Sequence, residues 1–278
     1  MIEAVRWRPF LWWFGRHATG RIRSTFGAVH VHGLERLRRH ADEAPLLLIA
    51  NHTAWWDALV ALWLSQRELG GVATFGMMDA ANLRRLRFFR WLGAFGVDRT
   101  SRRDGALATR YALELLRRRA HAVWLFPQGQ EQPPHVHLRF EPGAAGIAKR
   151  ARAARVIPVA FAYVFEGDEH PHAYVSIGEA MSFEDGSDRE AQERAVDSER
   201  QRIARQLERR SEDFVAVFER PPASGWATAW LDRFAGWLAP RQARARAALP
   251  EQTARVQSQC ASAPLHLGPA EHPDEREQ

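Results

Sequence analysis

Residues 46–67 read LLLIANHTAWWDALVALWLSQR, and this stretch decides the fold that we predict for the chain. Its first five residues, Leu46 to Ala50, are all apolar, which is typical of a buried strand. A short polar loop follows, and residues 57–67 then show the pattern of a helix. A buried strand that leads directly into a helix is the unit from which α/β folds are built.

The alternation of strand and helix patterns continues along the chain. We predict further strands over residues 72–77, 94–97, 122–126, 156–163 and 173–177. We predict helices over residues 105–119 and 144–152, and a long charged helix over residues 189–218. The predicted fold is therefore α/β, with a mixed sheet flanked by helices.

Two tryptophan-rich segments flank this region. Trp7, Phe10, Leu11 and Phe14 lie at helical spacing on one face of the first segment. Because indole rings favour the depth of lipid headgroups, this face predicts contact with a membrane interface. The alternative is a helix that packs its aromatic face on the protein's own core. The second segment carries a comparable stripe of Trp226, Trp230, Phe234, Trp237 and Leu238.

These patterns divide the chain into four predicted parts. An amphipathic membrane-interface segment covers residues 1–30, and the main domain covers residues 31–220. The second tryptophan-rich amphipathic segment covers residues 221–240. Residues 241–278 lose their apolar periodicity, and we predict a disordered tail there.

The charge of the chain is basic, with 39 Lys and Arg residues against 33 acidic residues and a net charge of +6. Lys149 is the only lysine. A basic surface favours anionic partners, either phospholipids or nucleic acid. Arginine clusters at 36–39, 84–90 and 117–119 keep a nucleic-acid-binding protein open as an alternative. They are spread through the chain without a familiar nucleic-acid motif, so we predict no nucleic-acid partner.

The expected location follows from hydropathy and cysteine content. No run of about 18 uncharged apolar residues occurs, so we expect no membrane-spanning helix. Charged residues interrupt the amino terminus, which is unlike a signal peptide. Cys260 is the only cysteine, which excludes an intramolecular disulfide. We expect a peripheral protein at the cytoplasmic face of a membrane.

The loop after the first strand carries a histidine and an aspartate. His52 directly follows the predicted strand end Asn51, and Asp57 lies five residues further on. Sites in open α/β folds lie at the carboxyl ends of strands. A carboxylate bonded to one ring nitrogen fixes the tautomer and leaves the other nitrogen as a general base. An exposed loop histidine and an aspartate at a helix start are the ordinary alternatives.

Four sequence blocks appear together in a fixed order. They are Asn51-His52-x4-Asp57, Gly93-Ala-Phe95-Gly-Val-Asp98-Arg99, Phe126-Pro127-Gln128-Gly129 and Val156-Ile157-Pro158-Val159. In order and approximate spacing they resemble the four motifs of the glycerolipid acyltransferases, the group that contains the lysophosphatidic acid (1-acylglycerol-3-phosphate) acyltransferases. The resemblance covers roughly residues 45–180. It implies a glycerol-3-phosphate acyltransferase-like fold with the tryptophan-rich segments at its membrane face.

The resemblance also implies an activity and a set of roles. The activity is transfer of a fatty acyl group from acyl-CoA or acyl carrier protein to the hydroxyl of a lysophospholipid or related membrane lipid. The acyl thioester is a co-substrate, and no cofactor is implied. His52 is the implied general base, Asp57 orients it, and Pro158 lies in the motif associated with acyl-chain or donor binding. The implied acceptor-binding residues are Asn51, Gly93, Phe95, Arg99, Phe126, Pro127, Gln128 and Gly129.

The third block departs from the family. It usually reads Phe-Pro-Glu-Gly-Thr-Arg, whereas Gln128 and Glu131 replace the glutamate and the arginine here. A glutamate at the arginine position would repel a phosphate. We therefore predict an acceptor without an exposed phosphomonoester, with lysophosphatidic acid as the alternative. Glu131 pointing into solvent, or Arg102 or Arg103 supplying the lost charge, would leave that alternative open.

Two other interpretations of the sequence are a pseudoenzyme and a metal-binding protein. A lipid-binding pseudoenzyme of the same fold would explain the altered third block, but the presence of both His52 and Asp57 argues against it. His135-Val-His137 and His170-Pro-His172 are possible metal ligands. Such pairs in polar loops are commonly incidental, and no carboxylate lies at a matching spacing, so we predict no metal site.

Overall fold

A mixed eight-stranded sheet is the centre of the computed structural model, which describes residues 1–167, 169–209 and 214–221. The strand order across the sheet is 4-3-5-2-6-7-1-8 when the strands are numbered along the chain. The described strands are β1 (Ala28–His32), β2 (Leu46–Ala50), β3 (Ala73–Asp79), β4 (Ala94–Val97), β5 (His121–Leu125), β6 (Arg155–Val164), β7 (His172–Ile177) and β8 (Val215–Glu219).

The directions of the strands decide where the loops meet. Strands β4, β3, β5, β2 and β6 are parallel to one another, so their carboxyl ends share one edge of the sheet. Strand β7 runs antiparallel to β6, β1 is parallel to β7, and β8 closes the sheet antiparallel to β1. The predicted mixed sheet is confirmed.

Helices cover both faces of the sheet. They are α1 (Arg8–Thr25), α2 (Leu34–Glu43), α3 (Trp56–Glu68), α4 (Ala80–Arg85), α5 (Arg102–Leu115), α6 (Gly143–Ala148), α7 (Phe183–Gly186) and α8 (Arg189–Arg209), with a 3-10 helix at Arg87–Leu92. Ile22 of α1 and Val60 of α3 pack in one core. Ala112 of α5, Ile147 of α6 and Val196 of α8 pack in the other.

Strand β2 contributes to both cores, which explains its unbroken apolar sequence. Successive side chains of a strand point to opposite faces of the sheet. Leu46 and Leu48 pack with α1 and α3, whereas Leu47 and Ile49 pack with α5 and α6. Every residue of the strand is 0% exposed. A strand buried on both faces holds the loop that follows it in one place.

The sequence patterns located most elements but placed one wrongly. Strands β2 and β4 have the predicted bounds, and α3 begins one residue before the prediction. The long helix predicted over residues 189–218 is wrong at its end, because residues 215–219 form β8. Val215 and its apolar neighbours pair with the edge strand β1, and this tertiary pairing overrides the helical pattern.

The amino-terminal helix packs on the protein itself. Leu11, Ala18 and Ile22 of α1 are buried, and Phe10 lies 5.1 Å from Trp91 of the 3-10 helix between ring centroids. In the predicted stripe Leu11 is buried and Phe10 and Phe14 are half-buried, whereas Trp7 remains 52% exposed. The alternative of core packing therefore holds for part of the stripe, and its contact with a membrane stays a prediction. Residues 1–30 belong to the same compact unit as the main domain.

Within the described ranges, no helix has both the length and the apolar character needed to cross a membrane. The predicted amphipathic segment at 221–240 and the predicted disordered tail at 241–278 lie outside the described residues, apart from Pro221.

Candidate active site

The predicted site residues gather at the carboxyl edge of the parallel strands. His52 follows β2, Phe126 follows β5, and Arg99 follows β4. The His52 and Phe126 rings lie 4.8 Å apart between centroids. Because β2 lies between β5 and β6, its loop is enclosed by the loops of both neighbours.

The histidine and the aspartate form a hydrogen-bonded pair. The Nδ1 atom of His52 lies 2.9 Å from Oδ2 of Asp57, which is in the first turn of α3. The backbone N–H groups of Thr53 and Ala54 donate to the same oxygen at 2.6 and 2.9 Å. Asp57 is 0% exposed, while the side chain of His52 remains 20% exposed. The arrangement fixes the imidazole and keeps it in contact with solvent.

A third side chain holds the buried carboxylate. The hydroxyl of Tyr163, near the end of β6, donates to Oδ1 of Asp57 at 2.7 Å. Burial, followed by the charge of Asp57, raises the pKa of Tyr163 well above its ordinary value of 10. The phenol therefore stays protonated and remains a donor. Sequence reasoning missed Tyr163, because a strand tyrosine 106 residues from Asp57 carries no local signal.

The third sequence block is tied directly to the loop of His52. The backbone N–H of His52 donates to Oε1 of Gln128 at 2.7 Å, and the N–H of Gln132 donates to the His52 carbonyl at 2.8 Å. The Nε2 group of Gln128 donates to Oε1 of Gln132 at 2.8 Å. Gln128 is only 4% exposed. It therefore uses both ends of its amide to position the histidine loop.

The second and third blocks meet through Arg99. Its Nη1 donates to the carbonyl of Gly129 at 3.0 Å, and its Nη2 lies 3.3 Å from Oε1 of Glu141. Gly129 has a φ of +70°, and a Cβ there would lie 2.7 Å from Cζ of Arg99. Glycine suits this left-handed backbone conformation, and a larger residue would also displace the Arg99 guanidinium. Arg99 thus lies at the predicted edge, with its side chain 42% exposed.

Asn51 has a different role from the predicted acceptor contact. Its Nδ2 donates to the carbonyl of Phe161 at 3.0 Å, and its Oδ1 accepts from the Phe161 N–H at 2.8 Å. The residue is 1% exposed. Asn51 therefore joins the end of β2 to β6, and this corrects the prediction. Pro127 is buried as well, and its carbonyl accepts from the N–H of Glu141.

Gly93 and Phe95 also lie away from the place where they were expected. Gly93 precedes the amino end of β4 with a φ of +104°, and a Cβ there would lie 2.5 Å from the Thr74 carbonyl. Phe95 is 0% exposed and packs 5.3 Å from the ring of Tyr111. Both residues shape β4 and its core contacts, so the prediction that they contact an acceptor is corrected.

Pro158 is buried in the first half of β6, opposite Ile49 of β2. It borders a groove of about 430 Å³ whose walls include Glu179, Met181 and Ser198. This groove lies away from the carboxyl edge that carries His52. The predicted role of Pro158 in binding the acyl chain or the donor stays a prediction.

The fold and the site define a class of protein: an α/β protein with a hydrogen-bonded histidine–aspartate pair at the carboxyl edge of its parallel strands. Residues 28–162 match the model of the Acyltransferase family. This span runs from β1 into β6 and contains His52, Asp57, Arg99 and Gln128. The chain therefore carries a domain of the acyltransferase family and is an acyltransferase, as the four sequence blocks predicted.

Comparison with other proteins agrees at the level of the fold. The crystal structure of PlsC, the 1-acyl-sn-glycerophosphate (LPA) acyltransferase from Thermotoga maritima, is similar with a TM-score of 0.53. The two sequences are 18% identical, and the match covers 73% of this chain and 81% of that one. The predicted acyltransferase-like fold is thus confirmed. No curated protein matches the sequence significantly.

The first prediction concerns Tyr163. Replacing it with phenylalanine removes a hydrogen bond to a buried charge, which is worth roughly 1.5–3 kcal/mol. If Tyr163 positions Asp57, the Tyr163→Phe variant should lose about 10- to 100-fold in kcat with little change in KM. Steady-state kinetics measures this effect.

Tyr111→Phe is the matched control, because Tyr111 is another half-buried tyrosine and its hydroxyl contacts the backbone of Ala4. It should lower the melting temperature without lowering kcat. Equal kcat values for the two variants and the wild type would show that Tyr163 does not act through Asp57.

Proposed function

We propose that this enzyme transfers a fatty acyl group from acyl-CoA or acyl carrier protein to the hydroxyl of a lysophospholipid or related lipid. His52 is the general base, and Asp57 orients it. The observation that carries this proposal is the 2.9 Å contact between Nδ1 of His52 and a fully buried carboxylate. The structural similarity to PlsC, a 1-acyl-sn-glycerophosphate (LPA) acyltransferase, supports a lipid acceptor.

The geometry supports Nε2 as the nitrogen that acts as the base. Because Oδ2 of Asp57 accepts from Nδ1 of His52, the lone pair of the imidazole is on Nε2. Nε2 takes the proton of the acceptor hydroxyl while the oxygen attacks the thioester carbonyl. The resulting imidazolium is stabilised by Asp57, and it returns the proton to the departing thiolate. The products are an ester and a free thiol, and general-base catalysis of this kind contributes about 100- to 10,000-fold in rate.

The charges around the site support an acceptor without a phosphomonoester. Arg99 lies closest to the third block, but Gly129 and the carboxylate of Glu141 already engage it. Glu131, at the position where the family has arginine, is exposed beside the same loop. A dianionic phosphate at this place would be repelled by the carboxylates of Glu131 and Glu141. The Arg99 guanidinium could compensate only in part, because it already pairs with Glu141. A phosphodiester or uncharged headgroup avoids most of that repulsion.

The exposed aromatic residues support attachment to a membrane. Trp12 and Trp13 of α1 are 69% and 54% exposed, although they lie off the predicted stripe. Arg8 and Arg16 are exposed on the same helix, and the Arg16 guanidinium lies 5.4 Å from the Trp12 ring. Exposed indoles with arginines match the headgroup region of an anionic bilayer. These features support our proposal that the enzyme binds a membrane surface; the cytoplasmic side is the one expected from the sequence.

Helix α1 also links this aromatic surface to the active-site edge. Near its first turns, the carbonyl of Leu11 accepts from Nε2 of Gln66, close to the end of α3. At its other end, Phe26 packs 4.9 Å from Trp56, close to the histidine loop. An acceptor held in the membrane along α1 would thus approach the loop of His52.

The second prediction tests the general base. His52→Ala should lower kcat about 100- to 10,000-fold, because the base is lost. Its backbone bonds to Gln128 and Gln132 do not involve the side chain, so the fold should persist. Release of free thiol from acyl-CoA in the presence of lysolipid measures the rate. His135→Ala, an exposed loop histidine, is the control and should keep full activity. Full activity in His52→Ala would refute the mechanism.

The third prediction tests the acceptor. The wild-type enzyme should acylate lysophospholipids with phosphodiester headgroups faster than lysophosphatidic acid. Glu131→Arg should raise kcat/KM for lysophosphatidic acid by about tenfold or more, because a charge-assisted hydrogen bond replaces a repulsion. Glu131→Gln, which removes the charge without adding a cation, should give a smaller rise. A wild-type preference for lysophosphatidic acid would contradict the proposed acceptor but not the acyl transfer.

The fourth prediction tests the membrane surface. Replacing Trp12 and Trp13 together with alanine should weaken binding to phosphatidylglycerol vesicles by about tenfold or more, since each buried indole contributes roughly 1.5–3 kcal/mol. Co-sedimentation measures the bound fraction. Phe183→Ala, which removes an exposed aromatic on α7, is the control and should bind like the wild type. If the double variant binds the vesicles as tightly as the wild type, α1 does not contribute to membrane binding.

A further inference from the structure

His30, Glu166 and His172 converge on the face of the sheet opposite to the active site. His30 belongs to β1, His172 begins β7, and Glu166 lies in the loop between β6 and β7. Ala173 and Val175 pack in the same core as Tyr163. Because side chains alternate along a strand, His172 and Tyr174 point to the other face, where Tyr174 packs with Ile203 of α8.

The three side chains bring their ligand atoms to one point. Nε2 of His30 lies 3.4 Å from Nδ1 of His172, and this Nδ1 lies 2.9 Å from Oε2 of Glu166. All three ligand atoms lie within 4.8 Å of one another. Two imidazole nitrogens at about 2.0–2.1 Å from a tetrahedral zinc ion are about 3.3–3.4 Å apart. The histidine pair has this separation.

The chemistry of the three groups suits a metal ion. Imidazole nitrogens and a carboxylate oxygen are all common ligands of transition metals. A cation between them would be attracted to all three atoms.

Neighbouring groups orient the ligands. The hydroxyl of Tyr174 donates to Oε2 of Glu166 at 2.7 Å, and its ring stacks on His30 at 4.6 Å. Tyr174 is 5% exposed. Metal sites commonly hold their ligands through such outer hydrogen bonds and packing contacts. The side chains of His172 and Glu166 keep 17% and 32% of their exposure, which leaves room for a water ligand.

We infer that His30, Glu166 and His172 bind a divalent transition-metal ion, with zinc as the best match to two imidazoles and one carboxylate. A water molecule completes the tetrahedron. The ion joins the loop between β6 and β7 to strand β1, on the face away from His52. Its role is therefore to stabilise this end of the sheet.

The inference replaces one sequence-based expectation. The pair His170-Pro-His172 suggested a local site, and we predicted none. In the structure His172 meets His30, which is 142 residues away, whereas Nε2 of His170 lies 3.5 Å from Glu169. The ligands come from three elements, so no local spacing could reveal them.

The experiment is a titration of metal-stripped, full-length protein with zinc chloride, followed by calorimetry and by thermal unfolding. We expect one tight site in the wild type and a melting temperature that rises with zinc. His30→Ala and Glu166→Gln should each weaken zinc binding by at least about tenfold. Glu166→Gln keeps the size of the side chain and an acceptor for Tyr174, so it decides the question if His30→Ala fails to fold.

His137→Ala, an exposed loop histidine, is the control and should bind zinc like the wild type. Absence of a tight site in the wild type would overturn the inference. So would a site of the same affinity in Glu166→Gln and in folded His30→Ala, because zinc would then be bound elsewhere. Acyl transfer by His52 is measured separately, so neither result bears on the proposed function.

Discussion

The carboxylate of Asp57 is the group on which the site depends. An ionised side chain that is fully buried is costly unless hydrogen bonds replace its water. Here the backbone N–H groups of Thr53 and Ala54, the imidazole of His52 and the hydroxyl of Tyr163 supply those bonds. Three of these donors lie in the loop between β2 and α3, Tyr163 lies near the end of β6, and Asp57 itself is in the first turn of α3. The catalytic geometry therefore requires all three elements in register.

The rest of the sheet keeps that register. Strand β2 is buried on both faces, and the Asn51 amide closes a pair of hydrogen bonds with Phe161 of β6. On the other side, Gln128 bonds to the backbone of His52. The replacement of the family's glutamate at this position thus has a structural explanation, since a buried amide can accept from His52 and donate to Gln132. The charge that differs at Glu131 lies on the surface, outside these hydrogen bonds.

The two faces of the sheet carry different features. Helix α1 packs Leu11 and Ile22 inward and leaves Trp12 exposed, so the helix that completes the core also carries the surface that we propose binds lipid. On the opposite face, the cluster of His30, Glu166 and His172 lies behind the strands that carry Tyr163. Metal binding there would stabilise β6 and β7 and, through Tyr163, the environment of Asp57.

By itself, the sequence determined the α/β class, the position of β2, and the identity of His52 and Asp57 as a pair. These features are local: an apolar run of strand length, a helix pattern after it, and two residues five positions apart. The order of the four blocks along the chain also identified the acyltransferase family. Only the tertiary structure decided the rest. Residues 215–219 form a strand because they pair with β1. Phe95 belongs to the core because Tyr111 of α5 packs on this edge strand, and Gly93 is required because the backbone passes close to the Thr74 carbonyl. Strand pairing brings Tyr163 to Asp57 and His30 to His172, and each of these pairs is separated by more than 100 residues of sequence. Such contacts depend on which strands become neighbours, and local periodicity carries no information about that choice.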